Sequence, residues 1–103
     1  MTTQWYVLRS KPNKENLLWE QLGIHNIEAY YPRLKVNPVN PRARKVKPYF
    51  PGYVFIHTNL DQVAPSTLHW MPGAIGFVSF GSLPSVVPDS LIHTIHSKIN
   101  GAA

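Results

Sequence analysis

The feature that most limits what this chain can become is the stretch Lys47-Pro48-Tyr49-Phe50-Pro51-Gly52-Tyr53-Val54-Phe55-Ile56, where a basic, proline-rich loop turns into residues that alternate as a strand does. Aromatic and β-branched side chains suit a pleated, half-covered surface, so Gly52 to His57 is predicted as a strand. Successive side chains point to opposite faces, which sets Tyr53 and Phe55 on one side and Val54 and Ile56 on the other. Val54 and Ile56 are the expected core pair. Tyr53 and Phe55 must then either meet a packed helix or be offered to a partner. Pro51-Gly52 fixes the start of the strand, since proline presets one dihedral and glycine tolerates a tight turn.

The flanking sequence places this strand in a sheet. Gln4 to Leu8 is apolar on both faces and too short for a helix, the pattern of a central strand. Asn13 is the predicted N-cap of a helix that carries Leu17, Leu18, Trp19 and Leu22 and stops at Gly23. From Ile24 to Val36, Ile27, Ala29, Tyr31 and Leu34 nearly alternate while Pro32 interrupts, which predicts an edge or bulged strand. Asn37 to Lys47, with two Asn-Pro pairs, is predicted as a mobile hairpin tip. Pro65 suits the first turn of a short helix ended by Pro72-Gly73, and Ala74 to Phe80 alternates as another strand. Gly81 to Pro84 is a turn, Val86-Val87 a short extended piece, and Pro88-Asp89-Ser90 opens a last helix bearing Leu91, Ile92, Ile95 and Ile99. Central strands joined through a hairpin imply a mainly antiparallel sheet, so the expected fold is α+β: about four strands with helices packed on them. With 103 residues, the chain is expected to form a single domain over 1–103.

Composition narrows the chemistry. Ten Lys+Arg against five Asp+Glu give a net charge of +5, which makes polyanions plausible partners and equally aids solubility. No apolar run approaches the roughly twenty residues of a membrane span, and the Met-Thr-Thr-Gln start has no signal-peptide pattern, so no membrane partner is expected. The absence of cysteine removes disulfides and thiolate chemistry and agrees with a cytoplasmic setting. Glu15, Glu20, Glu28, Asp61 and Asp89 are scattered, with no close pair for general acid and base work. His93 and His96 sit three apart on the last helix, where two imidazoles can share an ion, but no third ligand stands at a legible spacing. Ser66 and Ser90 lack a neighbouring base, and no glycine-rich phosphate loop exists. The chain therefore reads as non-enzymatic, with no cofactor and no metal. Arg33, Lys35, Arg42, Arg44, Lys45 and Lys47 cluster around one hairpin, and Arg9, Lys11 and Lys14 lie at the end of the first strand and the start of its helix, both suited to phosphate contact.

Three blocks in order, Trp5-Tyr6-Val7, Phe50-Pro51-Gly52-Tyr53-Val54-Phe55 and Pro72-Gly73-Ala74-Ile75-Gly76-Phe77-Val78, make the chain resemble the N-terminal domain of the NusG family of transcription elongation factors. The resemblance spans most of residues 5 to 97. It implies an α+β sandwich of the kind the pattern suggests. It also implies that Phe50, Tyr53, Phe55 and Tyr6 form an apolar pocket for the clamp helices of the RNA polymerase β′ subunit, with Ile75 and Phe77 on the neighbouring strand either completing its wall or packing beneath it. On the same grounds Arg9, Lys11 and Lys14 occupy the region that touches the exposed non-template DNA strand, and Arg42, Arg44 and Lys45 lie near the upstream fork of the bubble. The implied function is a monomeric elongation and antitermination domain that bridges the polymerase cleft between β′ and β and suppresses pausing. In place of the His-Thr-Thr run that approaches the β subunit in the specialised RfaH-type branch, this chain has Ala64-Pro65-Ser66. Family members usually add a C-terminal KOW domain after a linker, and none is expected within residues 1–103. The alternative is a stand-alone nucleic-acid-binding module with no polymerase contact; a small hydrolase or metalloenzyme finds no ligand or acid set to support it.

Overall fold

The computed structural model describes residues 3–35, 46–81 and 83–101. Strand β1 (Gln4–Ser10) is followed by helix α1 (Glu15–Ile24), β2 (Glu28–Tyr30), β3 (Arg33–Lys35), β4 (Val46–Pro48), β5 (Tyr53–Thr58), α2 (Pro65–His69), β6 (Ala74–Phe77), β7 (Ser79–Phe80), β8 (Leu83–Pro84), β9 (Val86–Val87) and α3 (Asp89–Gly101). The main sheet runs β2-β5-β1-β6, with β9 also on β1, and every pair is antiparallel. The fold is α+β. As expected, β1 is central: β5 pairs along its whole length, from Gln4↔Thr58 to Arg9↔Tyr53. The other edge of β1 is shared. β6 covers Leu8 to Ser10, β9 covers Trp5 and Tyr6, and the Val78 N–H donates to the Val7 carbonyl between them (2.9 Å). The chain from Val78 to Ser85 leaves this line as the small β7–β8 ribbon and returns, closed by a 3.0 Å bond from the Ser85 N–H to the Val78 carbonyl.

Alternation along β1 and β5 divides the interior in two. Tyr6, Leu8, Val54 and Ile56 face α1 and α2, where Leu18, Leu22 and Leu68 complete a core with Ile27, Tyr31, Met71 and Ala74. Leu8, Leu18, Leu22, Val54, Ile56 and Leu68 are fully buried, each contributing roughly 1.5–3 kcal/mol. Val7 and Phe55 face the other way, into a smaller cluster with Val87 and with Ile92 and Ile95 of α3.

Helix α1 differs at both ends from the sequence expectation. Asn13 is not the cap: it lies in the left-handed region at φ 60°, and Lys14 precedes the helix with no side-chain cap bond. The acid of the first turn, Glu15, is instead buried and accepts the Gly52 N–H at 3.0 Å, while the Ser10 N–H donates to the Gly52 carbonyl at 2.8 Å. Both polar groups of Gly52 are thereby held where β5 begins. At the far end the helix runs past Gly23 to Ile24, and Asn26, at φ 59°, makes the left-handed turn. The Asn26 N–H donates to the Gly23 carbonyl and the Ile27 N–H to the Leu22 carbonyl, while Ile27 and Leu22 both enter the core. That is a Schellman closure with asparagine in the glycine position.

Pro32 does interrupt the edge strand. β2 pairs with β5, after which β3 leaves the sheet and pairs with β4, and the Tyr49 N–H bonds the Pro32 carbonyl (2.8 Å). Most of the predicted hairpin tip, including Arg42, Arg44 and Lys45, lies outside the described residues.

Candidate functional site

Two surface regions gather the residues singled out above. The first surrounds the start of β5. Tyr53 is exposed (39%), opposite Arg9 in the β1–β5 register, and Ile75 on the outer strand β6 is exposed too (42%). Phe50 is half-buried. Its ring meets Tyr49 edge-on at 4.8 Å and Phe55 edge-on at 5.9 Å, so the turn before β5 is stiffened by edge-to-face aromatics and not by backbone alone.

Three of the six residues grouped with this patch stand elsewhere. Phe55 is not an accessible aromatic: at 6% exposure it is core, because α3 covers that face of the sheet with Ile92 and Ile95, and Tyr30 packs beside it with ring centroids 6.3 Å apart. The single-strand pattern showed which side Phe55 takes but not that a helix lies over it. Tyr6 is buried on the opposite face from Tyr53, since Tyr6 pairs with Ile56 while Arg9 pairs with Tyr53. There it meets Phe77 edge-on at 6.0 Å, and Phe77 is half-buried against the larger core. The accessible part of the patch is therefore exposed Tyr53 and Ile75 with half-buried Phe50, Arg9 standing opposite Tyr53.

The second region is basic. Arg9, Lys11 and Lys14 are all exposed, and one contact draws the loop that carries Lys11 and Lys14 against the loop before β6. The Lys11 N–H donates to the Gly73 carbonyl at 2.9 Å. Gly73 has φ 88°, and a Cβ there would stand 3.1 Å from the Lys14 carbonyl oxygen and 3.3 Å from the Leu18 nitrogen. Only glycine brings the two loops this close. Three residues before Gly73, Trp70 is 79% exposed at the end of α2. Sequence reading passed it over, since a tryptophan after a short helix usually belongs to the core. The chain turns inward at the next residue, Met71, which is buried in the core. Arg9, His69, Trp70, Ile75, Phe77 and Leu83 line an open groove of about 640 Å³ between α2, β6 and the β7–β8 ribbon.

Other basic and titratable groups are engaged differently. The Arg33 guanidinium lies over the rings of Trp19 (4.9 Å) and Tyr31 (5.0 Å), which ties the start of β3 to α1. His93 and His96 are exposed on α3, and among the described residues no three metal-ligating side chains come together. None of the described helices is long and apolar enough to cross a membrane. Burial raises the Tyr30 phenol above its ordinary pKa of 10.0.

Comparison with known proteins adds to this geometry. A family model described as transcription termination factor nusG matches residues 3–96. The fold is similar to a solved structure of Thermotoga maritima NusG, described as showing domain interaction in that protein, with a TM-score of 0.71 and 22% identity. That match covers 100% of this chain and 60% of the other, so the chain spans less than two thirds of its structural relative. With a family match across nearly all of its length, a three-layer α+β arrangement and the Pro-Gly turns that set β5 and β6, the chain belongs to the NusG family of transcription factors.

Proposed function

We propose that this domain is a non-enzymatic elongation and antitermination module that binds the clamp helices of the RNA polymerase β′ subunit, works in the cytoplasm as a monomer, and bridges the cleft towards β so that pausing is suppressed. The observation that carries the reading is the accessible surface of exposed Tyr53 and Ile75 with half-buried Phe50, and Arg9 opposite Tyr53. A helix tip docks on rigid aromatic anchors, and Tyr53 is held rigid by Val54 and Ile56 buried on the far side of its own strand. Phe55 acts as floor beneath the anchors, and Tyr6 and Phe77 support the sheet from behind. Pause suppression follows if the domain prefers the closed clamp, and its effect is limited to that difference in affinity.

A second reading, a nucleic-acid-binding module, is favoured by one observation: exposed Trp70 lines the same groove as Arg9, and Gly73, three residues on, is bonded to Lys11; basic groups on a surface with an exposed aromatic suit single strands. In the polymerase reading the same groups touch the non-template strand, and Arg42, Arg44 and Lys45 add charge near the fork. The deciding experiment is titration of a β′ clamp-helix fragment against the domain and its Tyr53→Ser variant, with circular dichroism as the folding control. Saturable binding lost in Tyr53→Ser at unchanged melting supports the first reading. A wild-type domain that ignores the fragment, yet binds single-stranded DNA, leaves the second.

A further inference from the structure

At the end of the sheet away from Tyr53, a groove of about 350 Å³ runs between β2 and the first turns of α3. Trp5, Tyr30 and Ile92 give it an apolar lining, Glu28 and Asp89 bring carboxylates to it, and His93 and His96 stand beside them, the His96 ring 6.0 Å from that of Tyr30. Its electrostatics run against the rest of the molecule. The chain carries +5, yet two of its five carboxylates meet here, and no lysine or arginine is among the described residues that line the groove. Both acids are exposed. Glu28 keeps one oxygen 2.9 Å from the His57 Nδ1, and the His57 ring stacks on Trp5 at 4.7 Å, so the carboxylate and the indole are held in fixed relation through one imidazole. Trp5 and Tyr30 are each half-buried, which leaves part of both rings facing the groove. β2 is, moreover, the outermost strand on that side of the sheet.

We infer that this groove takes an arginine-bearing, extended segment of a partner protein, with the guanidinium against Trp5 and Tyr30 and between Glu28 and Asp89. A guanidinium is planar, stacks on aromatic faces and donates to more than one carboxylate, and a lining that holds two aromatic rings and two acids matches those three properties together. An outer strand beside the groove lets an extended backbone lie along it while alternate side chains turn in. Nucleic acid does not fit, because its phosphates would face the two carboxylates. The site shares no residue with the surface around Tyr53, and it stands or falls independently of polymerase binding.

The test uses the whole chain and the peptide acetyl-Thr-Arg-Val-Arg-Thr-amide, followed by amide and indole NMR shifts. Saturable shifts at the Trp5 indole and at the Ala29, Tyr30 and Ile92 amides are expected, with affinity about fivefold weaker in Glu28→Gln/Asp89→Asn and lost when glutamate replaces both arginines of the peptide. Should Asp89→Asn disturb α3, Glu28→Lys alone serves, and it should abolish the shifts while circular dichroism stays unchanged. Shifts absent from these positions, equal affinity in the charge variants, or equal binding of the glutamate peptide overturn the proposal. So do the same shifts on raising protein concentration without peptide, which would place a second copy in the groove.

Discussion

Truncating Phe55 and Tyr53, two residues apart on the same face of β5, should have opposite consequences. Phe55 is 6% exposed and lies among Val7, Val87, Ile92 and Ile95, with the Phe50 ring 5.9 Å and the Tyr30 ring 6.3 Å away. Removing a buried phenylalanine typically costs about 3–5 kcal/mol, and two aromatic neighbours push the value to the upper part of that range. A domain of this size holds about 5–15 kcal/mol of stability in all. Phe55→Ala should therefore lower the melting temperature by on the order of 20 °C. Tyr53 is 39% exposed, and Tyr53→Ala should cost about 1 kcal/mol or less. Urea unfolding followed by far-ultraviolet circular dichroism measures both, with the slope of the transition as a check that each variant still unfolds in one step. Equal stabilities, or a greater loss in Tyr53→Ala, would refute the assignment of α3 as the cover over Phe55.

Three further outcomes follow from contacts described above. Glu15→Ala removes the acceptor of the Gly52 N–H and should destabilise by about 2–3 kcal/mol in denaturant titration, with Glu15→Gln recovering part of the loss; a change under about 0.5 kcal/mol would show that the bond is idle. Gly73→Ala places a Cβ 3.1 Å from the Lys14 carbonyl at φ 88° and should cost about 1–3 kcal/mol, while amide shifts move at Lys11 and Lys14; an unperturbed spectrum would contradict the close approach of the two loops. Because burial raises the Tyr30 pKa above 10.0, the folded state holds its proton longer than the unfolded chain. Stability is then at its full value below pH 10 and declines as pH rises through the raised pKa, a decline that Tyr30→Phe should diminish in alkaline unfolding curves.

Much of this architecture was legible from local pattern. Alternation in Gly52 to His57 identified Val54 and Ile56 as core, and the greasy run at Trp5 to Leu8 identified the central strand, because side-chain period and burial are properties of neighbouring residues. What escaped depends on contacts distant in sequence. Phe55 could be assigned to a face but not covered, since the cover comes from Ile92 and Ile95 some forty residues later. Glu15 was read only as one of five scattered acids, and its burial needs the Gly52 turn to arrive beside it. Asn26 was overlooked because Gly23 offers the same left-handed freedom without a side chain, and the choice between them rests on where Ile27 finds the core. Tyr6 was assigned by nearness in a sheet, although one residue along β1 reverses the face.

The sheet is a shared wall with a separate core on each side, and this shapes how such a chain can drift in sequence. Leu8 and Val54 answer to α1 and α2, whereas Val7 and Phe55 answer to α3. Adjacent positions on one strand are thus constrained by different helices, so substitutions beneath α3 can be compensated within α3 without repacking the other side. The layer that bears the surface around Phe50 and Tyr53 can change its chemistry while the layer under α1 keeps the strands in register. A fold divided in this way retains its outline at 22% identity while leaving one face at liberty to acquire new partners.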